Sequence, residues 1–221
     1  MNEYYPAMSA SKPVRKRLSA ALAERPPARV TLFDAFRLAR RRWLQGERID
    51  IGALASELKV GRATLFRWVG SREQLLGEVL WSVTQPVLSQ AAAHTPGHGA
   101  QRIAAICEVL IRAILGFAPL RRFITQNPEY ALRLLTSKAG PVQARVIESV
   151  QTLLLEEQAS GFLSLPLPAA TLAYLVVRIG ESFVYADVIS GQCVEVGDAA
   201  LAIELLLSGR LSAPGAPSAR S

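Results

Sequence analysis

A chain of 221 residues that is half hydrophobic can bury one large core, or one small and one larger domain. Two cysteines, Cys107 and Cys193, both in apolar stretches, exclude a disulfide-stapled scaffold and fit a reducing, cytoplasmic compartment. The formal charge of +7 is unevenly spread: residues 1–72 hold 15 Lys and Arg against 6 Asp and Glu, and the rest of the chain is net −2. A phosphate backbone favours that concentration through counterion release, whereas a merely soluble domain gains little from gathering like charges.

Residues 1–28 read as a flexible basic arm around Arg15, Lys16 and Arg17, with a minor-groove or phosphate contact and plain disorder both open. Lys12 to Arg17 is followed by no sustained apolar run, so no secretory signal is expected. Leu32 to Leu44 has the spacing of an amphipathic helix. Asp50 is a good N-cap, and Ile51, Leu54, Ala55 and Leu58 then mark one buried face of a helix ending near Lys59. Val60 and Gly61 supply the turn, with glycine expected to carry the unusual backbone angles. In the next helix, Arg62 to Val69, Leu65 and Val69 face inward and Arg62, Ala63, Phe66 and Arg67 face elsewhere, giving a basic and aromatic outer surface. Gly70 closes that helix, and Ser71 caps the following one with Gln74 completing a capping box.

The helix capped by Ser71 should run through Trp81 towards Ala93 and bend at Pro86. A loop over Thr95 to Gly99 follows, then a helix from Gln101 to Phe117 stopped at Pro119, and a stretch from Leu120 to Ser137 broken near Pro128. Pro141 opens a helix to about Ser160, Leu167 or Pro168 opens an apolar helix to about Gly191, and Val196 to Leu207 forms the last. The tail from Gly209, rich in Ser, Ala, Pro and Gly, is expected to be disordered. No segment alternates at period two for long. The expected fold class is therefore all-α: a three-helix DNA-binding domain with a helix-turn-helix over 29–76, then a helical bundle over 77–208 for ligand binding and dimerisation.

Val60 to Val69, followed by Ser71, Arg72, Glu73, Gln74, Leu75 and Leu76, resembles the helix-turn-helix and fourth-helix start of TetR-type transcriptional regulators. The resemblance covers about residues 30 to 85, and within the family the chain looks most similar to regulators of the QsdR type, associated with genes for degrading lactone quorum-sensing signals. Matched position by position, it implies that Arg62, Ala63 and Arg67 meet base edges and that Thr64, Phe66, Trp68 and Arg72 meet phosphates and sugars. The chemistry agrees, since a guanidinium pairs with guanine in a bidentate way and a hydroxyl or indole N–H donates to phosphate. Three positions depart from the pattern. The frequent aromatic pair at the positions of Phe66 and Val69 is aromatic then aliphatic, the turn reads Lys59, Val60, Gly61 and so lacks a hydroxyl cap, and the lysine after the capping serine is Arg72.

A second function is expected on the penultimate helix, where Tyr174, Arg178, Glu181, Ser182 and Tyr185 form a polar stripe at steps of three and four. Burying a guanidinium and a carboxylate is costly unless they meet each other, water or a ligand. A self-satisfied Arg178–Glu181 pair and a ligand pocket are both open. In the pocket reading, Phe123, Asn127 and Tyr130 are walls, and Phe117 and Trp81 add apolar lining. The resemblance implies a small-molecule effector in this body, apolar or amphipathic, with lactone and acyl compounds among the candidates. It also implies a homodimer through the last two helices, whose apolar faces need cover on more than one side.

Other chemistry is not expected. His94 and His98 flank Pro96 and Gly97 with no carboxylate or Cys to complete a metal set, Glu156 and Glu157 point apart on a helix, and no phosphate-cradling loop or nucleophile motif occurs. No cofactor, metal or enzymatic activity is expected. The apolar run from Thr171 to Ile189 contains Arg178, Glu181 and Asp187, too polar for a membrane span. The function expected is thus a repressor released from a near-palindromic DNA operator by its effector. Two other classes stay open: an architectural DNA binder without a ligand, and a small-molecule-binding bundle without a DNA role, in which Arg62 and Arg67 would be tied into internal salt bridges.

Overall fold

The computed structural model describes residues 30–136, 141–191 and 194–209, and every regular element among them is a helix. Helices α1 (Leu32–Leu44), α2 (Ile51–Glu57) and α3 (Arg62–Val69) form a small head. Helix α4 (Arg72–His94) runs from it into a body of α5 (Gly99–Gly116), α6 (Ala118–Gln126), α7 (Pro128–Thr136), α8 (Pro141–Ala159), α9 (Ala169–Val184), α10 (Ala186–Ser190) and α11 (Val196–Ser208). The basic arm, Cys193 and the tail after Gly209 lie outside the described residues.

Apolar side chains decide the packing. Leu38 and Trp43 of α1, Leu54 of α2 and Leu65 of α3 close on Leu75, Leu76 and Val79 of α4, all buried. Each such side chain contributes about 1.5–3 kcal/mol relative to staying in water, so the head and the first half of α4 hold together as one unit. A second buried cluster joins Ile103 and Ile106 of α5, Leu154 of α8, Leu172 and Val176 of α9, and Ile203 and Leu207 of α11. Within the body, α11 lies along α5 and α9 along α8.

Buried charge is placed with its partners. Glu157, near the end of α8, accepts from the Gly99 N–H at 2.6 Å and from Arg102 Nη1 at 2.7 Å, while Arg102 also donates to the carbonyls of Ala92 and Thr95. The α4–α5 connection is thereby anchored to α8. His98 belongs to the same corner, its ring stacked on Phe162 with centroids 3.8 Å apart. Arg145 of α8 reaches Glu78 of α4 at 2.7 and 2.9 Å and covers the Trp81 ring at 5.6 Å.

Two expectations need correction. The left-handed residue of the helix-turn-helix corner is Lys59 (φ 53°), whereas Gly61 (φ −65°, ψ 139°) has extended backbone open to any residue. The reason is that α2 ends in a Schellman arrangement, with Val60 N donating to Ala55 O at 3.0 Å and Lys59 N to Ser56 O at 3.2 Å, which puts the strained position directly after the cap. The apolar run expected to be one helix is divided: α9 ends at Val184 and α10 starts at Ala186, with Tyr185 (φ −109°, ψ 4°) between them. Arg121 of α6 pairs with Asp187 there, a contact between distant segments that periodicity does not record. The helix expected to run through Trp81 towards Ala93 is α4, with Pro86 inside it.

Candidate DNA-reading surface and effector cavity

The recognition helix is built by a few local devices. Asp50 Oδ1 accepts from Ala53 N at 2.7 Å and starts α2, and the Schellman corner turns the chain into α3 without a side-chain cap at Gly61. Gly70 (φ 67°, ψ −128°) ends α3, and a Cβ there would stand 1.8 Å from Gln74 Oε1. That oxygen accepts from Ser71 N at 2.8 Å while Ser71 Oγ accepts from Gln74 N at 3.1 Å, so the tight corner and the capping box require each other.

Only Leu65 of α3 is buried, and it anchors the helix to the head core. Arg62, Ala63, Phe66 and Arg67 are exposed, and Thr64 and Trp68 are half-buried. The Arg62 guanidinium lies 5.7 Å over the Phe66 ring, and neither Arg62 nor Arg67 makes an ion pair with a described residue. Three arginines of α1 are neutralised: Arg41 and Arg42 both reach Glu57, and Arg37 meets Asp34 at 2.7 Å. The Thr31 hydroxyl and the Arg37 guanidinium together hold the Asp34 carboxyl down at about 2. Arg72 stands apart from the exposed arginines. Its Nε donates to Ile49 O at 2.8 Å and its guanidinium lies 5.0 Å over the Tyr130 ring, so one side of it clasps the head to α7.

The body holds a partly open cavity of about 100 Å³ between α4, α5, α8 and α9. Its walls are apolar, among them Leu110, Ile111, Val142, Val146, Val176 and Gly180, and its polar groups are Thr84, Gln143, Glu181 and Tyr185. Glu181 accepts from Gln143 Nε2 at 2.9 Å and from Arg178 Nη1 at 2.6 Å, and burial raises its carboxyl above the ordinary range. Burial also raises the Tyr185 phenol, which is 6% exposed and whose hydroxyl has no hydrogen-bond partner among the described residues. The site is an apolar slot with hydrogen-bonding groups at one end, suited to an uncharged molecule with one polar head. Cys107 also lines it, with burial alone pushing its thiol up to about 12, which suits packing rather than nucleophilic chemistry.

The expected ligand residues divide into three places. Glu181 and Tyr185 line the body cavity, and the i, i+3 pair with Arg178 is made. Tyr174, Arg178 and Ser182 are exposed, with Ser182 Oγ donating to Ile179 O at 2.7 Å. Phe123, Asn127 and Tyr130 line a different cavity, where the body meets the head, and so are not walls of the one containing Glu181. Phe117 and Trp81 line neither; Phe117 packs on Trp43 at 6.1 Å.

The family model described as "Tetracyclin repressor-like, C-terminal domain" matches residues 98–208, half of the chain. The chain belongs to the TetR family. Among solved structures, the R. erythropolis transcriptional repressor QsdR of that family is 29% identical, with 82% of this chain and 96% of that one covered and a TM-score of 0.74. Mycobacterium smegmatis AmtR is 14% identical, with 84% and 89% covered and a TM-score of 0.42, too low to carry an argument. No curated protein matches.

TetR-family regulators bind DNA operators and small-molecule effectors and act as homodimers. In this member, α11 buries Ala199, Ile203 and Leu207 against the body but leaves Leu201 and Leu205 55% and 66% exposed. Tyr174 of α9 is also exposed. Among the described residues no single helix is long and apolar enough to cross a membrane.

Proposed function

We propose that this TetR-family chain is a cytoplasmic, dimeric, effector-responsive repressor, with a head over 29–76, an effector and dimerisation body over 77–208, and a basic arm and a tail at the two ends. Arg62, Ala63 and Arg67 read base edges in the major groove, and Thr64, Phe66, Trp68 and Arg72 hold the backbone. One observation carries this reading: Arg62 and Arg67 project from a helix with a single buried anchor and make no ion pair with a described residue, whereas Arg37, Arg41 and Arg42 of the neighbouring α1 all do. A helix bundle without a DNA role gains nothing from two exposed unneutralised guanidiniums on one short helix. In a dimer formed through α9 and α11, which covers Tyr174, Leu201 and Leu205, two such helices address half-sites about one helical turn apart.

The effector occupies the cavity bounded by Glu181 and Tyr185. Its free space of about 100 Å³ is below the roughly 150 Å³ that accommodates benzene, so a lactone ring requires the walls to yield a little and an acyl chain requires them to yield more. A lactone suits the polar end, because its carbonyl accepts from the free Tyr185 hydroxyl without bringing a charge into the apolar slot. Thr84 lies on α4, the helix that begins at the head, so swelling the cavity displaces the element that sets the spacing of the two reading heads. The effect on operator affinity is a coupling of about 1–3 kcal/mol, typical of such linkage. Titrating γ-butyrolactone and short-chain acyl homoserine lactones against operator binding and thermal unfolding tests this. Weaker operator binding with a raised melting temperature is expected, and no change in either rules out the lactone.

A further inference from the structure

The cavity between head and body carries chemistry unlike that of the effector slot. It holds about 420 Å³ and is lined by the loop after α1, the start of α4, and α6 and α7. Three guanidiniums border it, those of Arg48, Arg72 and Arg122, with Glu47 the only carboxylate in its lining. Glu47 is engaged by Arg42 at 3.7 Å. Arg48 makes no ion pair or hydrogen bond with a described residue, Arg122 makes only a long contact with Gln45 O at 3.5 Å, and Arg72 makes no ion pair with one. Asn127 and Gln126 add amides with no side-chain partner among the described residues. The apolar part is aromatic: Trp43 meets Phe123 edge-on at 6.5 Å, and Phe123 meets Tyr130 at 6.0 Å.

Gathering three cations around one hollow is unfavourable unless something neutralises them, and a guanidinium without a carboxylate partner is a ready bidentate donor to one. We propose that this junction is a second small-molecule site, for an organic anion that bears a carboxylate or phosphate and a flat ring. Arg48 and Arg122 clasp the anionic group from the head side and the body side, and the ring lies against Phe123 and Tyr130. Arg48 and Arg122 are exposed at the mouth of this hollow, but a DNA backbone is the poorer occupant, because 420 Å³ with aromatic walls exceeds what a bare phosphate fills. Since the ligand touches both head and body, its binding fixes their relative angle and changes operator affinity independently of the effector slot. That consequence rests on α3 being the DNA-reading helix; the binding itself does not.

Isothermal titration calorimetry of the full chain without DNA, using benzoate, phenyl phosphate, inorganic phosphate and neutral benzyl alcohol, tests the site directly. Benzoate or phenyl phosphate should bind in the millimolar range or tighter, each more strongly than inorganic phosphate and benzyl alcohol. R122Q and R48Q should each weaken that binding about tenfold or more. R122Q changes an exposed side chain outside the proposed DNA contacts and the effector slot, and operator binding without ligand reports that the variant is folded. V146W, which fills the effector slot, should leave benzoate binding unchanged. Equal binding of benzoate and benzyl alcohol, undiminished binding in both arginine variants, or no binding of either aromatic anion at millimolar concentration overturns the proposal. So does a tenfold loss of ligand-free operator affinity with a flatter salt dependence in R48Q and R122Q, which would assign these arginines to the DNA backbone. A ligand that binds as described but leaves operator affinity unchanged overturns the coupling to DNA while the site stands.

Discussion

Gly180→Ala probes the effector slot with a single methyl group. Gly180 lies in the interior of α9 with an ordinary negative φ, and a Cβ built there meets Ile111 Cδ1 at 3.6 Å and Cγ1 at 3.8 Å, which is normal van der Waals contact. The substitution therefore adds no clash and removes a glycine from the middle of a helix, worth about 1 kcal/mol in propensity. Burying the methyl against Ile111 adds up to about 0.8 kcal/mol. The sum, about 1–2 kcal/mol, corresponds for a chain of this length to a melting temperature higher by roughly 2–8 °C. The same methyl enters a space of only about 100 Å³ and should weaken effector binding while operator affinity without effector is unchanged. Thermal unfolding by circular dichroism and operator titration with and without lactone read both effects. A lowered melting temperature would refute the packing argument, and full effector sensitivity in the stabilised variant would show that the ligand binds elsewhere.

Lys59→Gly relieves a non-glycine residue in the left-handed region and should stabilise the head by up to about 1 kcal/mol in denaturant unfolding, whereas a loss would show that the Lys59 side chain contributes more than its backbone costs. Arg67→Ala should leave the melting temperature unchanged and relax sequence preference in binding to operator and scrambled duplexes. Arg72→Ala should weaken binding evenly on all sequences and also lower the melting temperature, because Ile49 O and the Tyr130 ring lose their partner; equal behaviour of the two variants contradicts the assigned roles. The Asp34 carboxyl is depressed from 3.8 to about 2, so the stability it lends is complete above its ordinary range and disappears as pH falls towards 2. Asp34→Asn should flatten that acid limb of the stability curve, measured by urea unfolding between those pH values, and an unaltered limb would contradict it.

Local signals carried most of the head. Asp50, Leu65, Gly70, Ser71 and Gln74 act within a few residues of themselves, and the caps and the single inward anchor follow from spacing alone. The corner lies earlier than expected because α2 ends at Glu57 rather than near Lys59, which gives Lys59 and not Gly61 the left-handed angles. In the body the polar stripe was visible but not its direction. Tyr174 and Tyr185 lie eleven residues apart, about 20° out of register on an ideal helix, yet one is half exposed and the other buried. What differs is the neighbours: Gln143 of α8 reaches Glu181, one turn before Tyr185. The effector slot was hidden for the same reason, since Ile111, Val146 and Val176 are core residues in any single-helix pattern and become a wall only when three helices meet. Phe123 and Tyr130 line a different hollow from Glu181, because sequence does not reveal that α6 and α7 face the head.

Selection of bound sequences from random duplex DNA, at moderate salt and without effector, tests the DNA-reading role of α3 most directly. Two inverted half-sites whose centres lie about one helical turn, roughly 34 Å, apart should be enriched, with the enriched bases changing in Arg67→Ala. Recovery of unenriched DNA, or failure to retain any duplex even at low salt, would contradict the account.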